Sequence, residues 1–156
     1  LVSTTASAKA GAESEGDTTG QGCEQHDAEI LRSLPGVGRI VLAVLLAEAS
    51  RLLHERNYHA LRAHSGVAPV TRRSGRRLSV VMRKACNPRL RNAVYHWARV
   101  AAQTDPIWKQ RYAALRARGH SHGRALRTLG DRLLNVACVM LASKSEYNPE
   151  RLNQAA

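Results

Sequence analysis

The densest chemistry in the chain lies in six consecutive residues, Arg72-Arg73-Ser74-Gly75-Arg76-Arg77. A hydroxyl flanked by four guanidiniums suits a phosphate. Arginines neutralise nonbridging oxygens and stabilise the charge that develops on a phosphoryl group in transfer. The same residues also fit a solvated charge run around an ordinary Ser-Gly turn, or a phosphate-binding loop without catalysis. A serine hydroxyl needs a base or a metal to become a nucleophile at neutral pH, and its neighbours here are all Arg or Gly. The stretch from Arg72 to Arg91 adds Arg83, Lys84 and Arg89, which makes eight bases and no acid.

A second cluster is Pro35-Gly36-Val37-Gly38-Arg39. Two short helices joined by such a turn form a helix-hairpin-helix. Its glycines allow conformations closed to other residues and let a phosphate approach the amides at the second helix's start. Contacts of that kind grip the DNA backbone without reading its sequence. The usual pattern has Ala four residues after the second Gly; here that position is Leu42, with Ala43 beside it. A plain αα-hairpin without ligand fits the same residues.

His120-Ser121-His122 has two imidazoles but no Cys or carboxylate at ligand spacing nearby, and Ser121 as a helix cap explains the segment more simply. His54, His59, His64 and His96 fall on helical stretches as surface or core-edge groups. Glu48, Glu55, Asp105 and Asp131 are spaced without any carboxylate cluster for two-metal nuclease work. No metal site is expected in the chain. Tyr95, Trp97, Trp108 and Tyr112 are expected in the core. Six aromatics in all disfavour a single-strand binder built on stacking.

These groups must be positioned by helices. Asp27 is placed to cap a helix through Leu34, and the Pro-Gly-Val-Gly turn leads into an apolar helix from Ile40 to Leu53. A third helix is predicted over 57–64, with Tyr58 and Leu61 inward. Asn87-Pro88 and Asp105-Pro106 each read as an N-cap with Pro at the first helical position, opening helices to about Gln103 and Arg118. Gly119 ends the second of these. Ser121 then caps a last helix to about Ser143, in which Ala125, Leu129, Leu133, Val136 and Met140 make a core-facing stripe. Between them, residues 65–86 read as a basic loop, with Leu78 to Met82 its one strand-like piece. The fold class is mainly α: a compact helical domain over 28–149, a flexible acidic linker over 1–27 and a short tail over 150–156.

Composition narrows the function. The chain has 156 residues, 24 Lys and Arg, 12 Asp and Glu, and a formal charge of +12. Residues 1–27 oppose that balance, with Lys9 against five acids, so the remainder carries +16. A positive field of that size on a compact body indicates a polyanionic partner, most often nucleic acid. Three scattered cysteines argue against a disulfide scaffold and a CxxC zinc site. The longest apolar run, Ile40 to Ala47, is too short to span a bilayer. No secretory signal is evident, and the reduced cytoplasm is the expected compartment. The start at Leu1 rather than Met fits a piece of a longer protein.

Taken in order, these residues resemble the C-terminal domain of the insertion-sequence 110 (IS116/IS110/IS902) family of transposases. The resemblance runs through Leu31-Arg32-Ser33-Leu34-Pro35-Gly36-Val37-Gly38, Leu45-Leu46-Ala47-Glu48 and His64-Ser65-Gly66-Val67-Ala68-Pro69. It continues with Arg73-Ser74-Gly75, Met82 to Asn87, Leu90-Arg91, Tyr112, Leu115, Arg118-Gly119-His120 and Ala125-Leu126. Each piece is weak alone, whereas the ordered combination over about 27–149 is specific.

The resemblance implies a DNA recombinase guided by a bridge RNA, whose C-terminal serine attacks the DNA backbone and becomes joined to a phosphate. On that pattern Ser74 is the nucleophile, and Ser65 is not carried over. Phosphate contacts are expected at Gly36, Gly38, Arg39, Arg72, Arg73, Arg76, Arg77, Arg83 and Lys84. The family's other half is an acidic RuvC-like domain that holds a divalent metal, Mg2+. Nothing in these residues resembles it, so the chain alone is expected to bind DNA and to be catalytically incomplete, while the full-length protein acts as a homo-oligomer. The alternatives are a non-catalytic helix-hairpin-helix module or transposon remnant and, last, a basic ribosome-associated protein.

Overall fold

The computed structural model describes residues 18–150 and contains, in that range, six helices and one two-stranded sheet. Its helices are α1 (Thr18–Ser33), α2 (Arg39–His54), α3 (Tyr58–His64), α4 (Pro88–Thr104), α5 (Pro106–Ala117) and α6 (His122–Ser143). The mainly α fold follows from local chemistry. Asn57 caps α3 by accepting from the Ala60 amide. Asn87 accepts from the Arg89 and Leu90 amides, and Asp105 from those of Ile107 and Trp108, each just ahead of a Pro at the helix start. Ser121 caps α6 through the Arg124 amide.

α6 is the spine. Ala125, Leu126, Leu129, Leu133, Leu134, Ala137 and Leu141 are all buried along it, and α4 lies across it with Leu90, Val94, Trp97 and Ala101 turned inward. α2 and α5 pack on α4, while α1 and α3 close over α6. Trp97 and Trp108 are fully buried, as expected, whereas Tyr95 and Tyr112 are only half-buried at the core's edge. Leu42, the departure from the usual turn pattern, is buried in the core, and Ala43 faces outward. The larger side chain therefore fills the interior and leaves the turn unaltered.

Two expectations need correction. The first helix starts ten residues earlier than Ala28, at Thr18. Asp27 is not a cap but a mid-helix residue, and its two oxygens accept from Arg56 at 2.9 and 3.0 Å. That pairing ties α1 to the end of α2, giving a polar segment a tertiary anchor that composition does not reveal. The part of the expected linker over 1–17 lies outside the described residues, as does the tail over 151–156.

The second correction concerns the basic loop. It is a β-hairpin: β1 (Pro69–Ser74) and β2 (Arg77–Met82) pair antiparallel in one unbroken register, from Pro69 opposite Met82 to Ser74 opposite Arg77. β2 contains the expected strand-like piece; β1 was hidden by Pro69 and two arginines, residues poor in β-propensity signal. Among the described residues no helix is long and apolar enough to cross a membrane.

Candidate nucleic-acid interface

Two separate basic features emerge from this frame. The first is the turn between α1 and α2. Gly36 has φ +81°, and a Cβ placed there would lie 2.7 Å from the Ala101 amide nitrogen and 3.0 Å from the Trp97 carbonyl oxygen. Gly36 is therefore demanded both by backbone conformation and by contact with α4. The Trp97 indole N–H donates to the Pro35 carbonyl at 2.9 Å, so α4 holds the turn from beneath.

Gly38 then occupies the N-cap of α2 in an extended conformation (φ −85°, ψ 172°) with no side-chain cap. The first bond into the helix is from the Leu42 amide to the Gly38 carbonyl. The amides of Arg39, Ile40 and Val41 precede it and have no carbonyl one turn back to bond. Arg32, Gly38, Arg39 and Ile40 are exposed around this helix start, Ile40 to 80%. They share an open groove with Arg89, His96 and Val100 of α4. The positive end of the α2 dipole and the Arg32 and Arg39 guanidiniums thus face the same solvent.

The start of α4 is different. Its amides are already taken by Asn87, whose Nδ2 also donates to Glu48 at 2.6 Å. Arg89 donates to the same carboxylate at 3.3 Å. The Asn87 bond, followed by the Arg89 bond and charge, holds the Glu48 carboxyl below the usual carboxylate range. Glu48 is an ion-pair partner placed inside the basic surface, a role that its position in the sequence alone does not disclose. Arg83 lines the same hollow, with His64 and Cys86, and its Nε is buried without a partner. Lys84 is exposed on the link to α4.

The second feature is the hairpin. Its two-residue turn is Gly75-Arg76, and Gly75 has φ +56° while Arg76 does not take positive φ. Glycine at the first central position is the type II′ pattern that matches strand twist. Ser74 closes β1 immediately before it. Arg72, Arg73, Ser74, Arg76 and Arg77 are all exposed, and none of them makes a side-chain hydrogen bond or ion pair with another described residue. These four guanidiniums are therefore not committed to holding the fold together.

The expected phosphate residues fall into these two groups. Gly36, Gly38 and Arg39 stand at the turn; Arg72, Arg73, Arg76 and Arg77 surround Ser74 at the hairpin tip; Arg83 and Lys84 lie on the segment that leads from the hairpin to α4. No hydrogen bond or ion pair links the tip to the turn among the described residues. The Glu48–Arg89 pair lines both the turn groove and the hollow that contains Arg83.

Several other titratable groups pair within the helical body. Asp131 accepts from Tyr58 at 2.8 Å and from Arg62 at 2.6 Å. Burial, followed by that acceptor, pushes the Tyr58 phenol up to about 12. Glu55 pairs with Arg51 at 2.8 Å. His122 sits between the Tyr112 and Tyr95 hydroxyls, at 2.7 and 3.4 Å from its two ring nitrogens. No group of three His, Cys, Asp or Glu side chains among the described residues could hold a metal ion.

The sequence pattern of the Transposase IS116/IS110/IS902 family matches residues 28–113, which include the turn, the hairpin and the start of α5. Three curated proteins are similar over most of the chain. The "Mini-circle putative transposase for IS117" of Streptomyces coelicolor is 37% identical over 132 residues, 82% of this chain and 31% of that protein. The insertion element IS116 44.8 kDa protein of Streptomyces clavuligerus is 34% identical over 123 residues, 78% of this chain and 31% of its own length. The insertion element IS110 43.6 kDa protein of Streptomyces coelicolor is 30% identical over 119 residues, 76% of this chain and 29% of its own length. The matches span about three-tenths of each relative's length.

Proposed function

Because the chain belongs to the IS116/IS110/IS902 transposase family, we propose that it is the DNA-binding, serine-bearing part of an insertion-sequence transposase. The observation that carries this reading is Ser74 at the exposed tip of a hairpin whose four flanking guanidiniums are uncommitted. In this reading the α1–α2 turn acts as a helix-hairpin-helix. The Arg39, Ile40 and Val41 amides take one DNA phosphate, and Arg32 and Arg39 flank it.

The hairpin presents Ser74 to a second phosphate. There a bond forms between Ser74 Oγ and phosphorus, and one phosphorus–oxygen bond of the DNA strand breaks. The released sugar oxygen takes up a proton from solvent and leaves as a hydroxyl, and the serine proton passes to a base outside the hairpin, which has no carboxylate or imidazole. The family's acidic metal-holding domain is the proposed source of that base, and bridge RNA and homo-oligomerisation belong to the full-length assembly.

The test is a covalent adduct. Full-length transposase containing this domain, incubated with its RNA and DNA, yields a protein–DNA species that survives denaturation; Ser74→Ala abolishes it. An adduct that persists in Ser74→Ala overturns the assignment. The second reading, a DNA-binding module without catalysis, is supported by the lack of any base beside Ser74. It predicts salt-sensitive duplex binding and no adduct from any assembly.

A further inference from the structure

The hairpin register divides the four arginines, which composition treats as one cluster. In an antiparallel pair, directly opposed residues project to the same face and successive residues alternate. Ser74 is opposite Arg77, and Arg72 is opposite Ser79 one step further on the same face. Arg73 is opposite Leu78, and Thr71 is opposite Val80, on the other face. Leu78 and Val80 are 69% and 60% exposed there. One face near the tip is therefore hydroxyls and guanidiniums, and its reverse is largely apolar with Arg73 alone among the bases. Arg76 is in the turn itself.

We infer that Arg77 and Arg72 are the positioning residues that hold a phosphate against Ser74, while Arg73, on the reverse face, does not act on it. This rests on the reading of Ser74 as the DNA-facing hydroxyl and adds which arginines serve it. Opposed Cα atoms at such a pair are about 5.5 Å apart, and the Arg72–Ser79 pair lies about 7 Å further along the ribbon. Both guanidiniums can converge on an anion above Ser74 without any rearrangement of backbone. Arg73 would have to reach around the strand edge.

The experiment uses this chain with Ser74→Cys as the parent and reads alkylation of the introduced thiol by mass spectrometry. Iodoacetate carries the negative charge of a small anion, and iodoacetamide is its neutral counterpart. With either reagent the thiolate sulfur forms a bond to carbon, iodide leaves, and the thiol proton goes to buffer. The ratio of the two rates reports the positive field at that position. Arg77→Ala and Arg72→Ala should each lower the ratio about twofold, the effect of one unit charge roughly 6 Å away in water at 0.1 M salt. Arg73→Ala should leave it nearly unchanged.

A second arm adds duplex DNA at a concentration shown by gel retardation to saturate each variant. Bound DNA should slow alkylation of that thiol in the parent and in Arg73→Ala, and much less in the Arg72→Ala, Arg77→Ala pair. Equal losses from Arg73→Ala and Arg77→Ala overturn the division of the arginines. A parent whose thiol is alkylated at its free rate while DNA is bound overturns the proposed DNA site, and the assignment falls with it.

Discussion

The Trp97 indole N–H reaches across from α4 to the Pro35 carbonyl, 62 positions earlier in the chain, at 2.9 Å. It braces the Pro35–Gly38 turn against the core, since Trp97 is itself fully buried. Trp97→Phe keeps an aromatic ring in the core but leaves that carbonyl without its donor, and should cost about 1–3 kcal/mol. Trp97→Ala adds a cavity and should cost about 3–5 kcal/mol. Urea unfolding followed by circular dichroism checks both values, and wild-type stability in Trp97→Phe would contradict this role.

Gly36 and Gly38 should respond differently, although they are two residues apart. A Cβ at Gly36 meets α4 backbone at 2.7 Å with φ at +81°, whereas one at Gly38 meets nothing within 4 Å. Gly36→Ala should therefore destabilise by about 2–4 kcal/mol, with strain and overpacking combined. Gly38→Ala should cost under about 1 kcal/mol, the loss of a tolerated N-cap residue. Thermal melts of the two variants decide the matter; equal melting temperatures would refute it.

The hairpin carries charge and contributes little to stability. Leu78→Ser and Val80→Thr alter side chains already exposed, so each should change unfolding free energy by no more than about 0.5 kcal/mol. Leu133→Ala in the buried stripe of α6 should cost about 2–5 kcal/mol. Replacing Arg72, Arg73, Arg76 and Arg77 together by Ala should leave the melting temperature nearly unchanged. It should flatten the salt dependence of duplex binding by about 0.9 log units per log salt for each DNA phosphate no longer neutralised. An unchanged slope in a filter-binding titration would remove the hairpin from the interface.

Tyr58 ties stability to alkaline pH. Its phenol is pushed from 10.0 to about 12 by burial and by the hydrogen bond to Asp131. The folded state therefore retains this proton more tightly than the unfolded chain. The associated stability is fully present below pH 10 and is lost as pH rises through 10 towards about 12. Tyr58→Phe should show a shallower decline across that window. Denaturant midpoints measured at several pH values test this, and parallel curves for wild type and variant would count against it.

Much of the architecture was legible locally. Asn87-Pro88, Asp105-Pro106 and Ser121 marked the starts of α4, α5 and α6, because a cap is an exchange between a side chain and amides two or three residues away. The α6 stripe was legible for a similar reason, since helical periodicity places every fourth residue on one face. The basic stretch was visible as a block of charge but not as a hairpin. Pro69 and the paired arginines obscured β1, which exists because β2 supplies its hydrogen-bond partners. Asp27 reads as a helix cap in the sequence because its partner, Arg56, is 29 positions away.

The chain's own order of residues determined the helix starts, the core stripe, the excess of positive charge and the presence of one hydroxyl amid four guanidiniums. All of these depend on neighbours within a turn or two. Tertiary structure alone decided that Trp97 braces the turn, that Glu48 is held within the basic surface by Asn87 and Arg89, and that Arg77 rather than Arg73 shares a face with Ser74. Those relationships join distant segments or depend on strand register, and only the packed chain sets either.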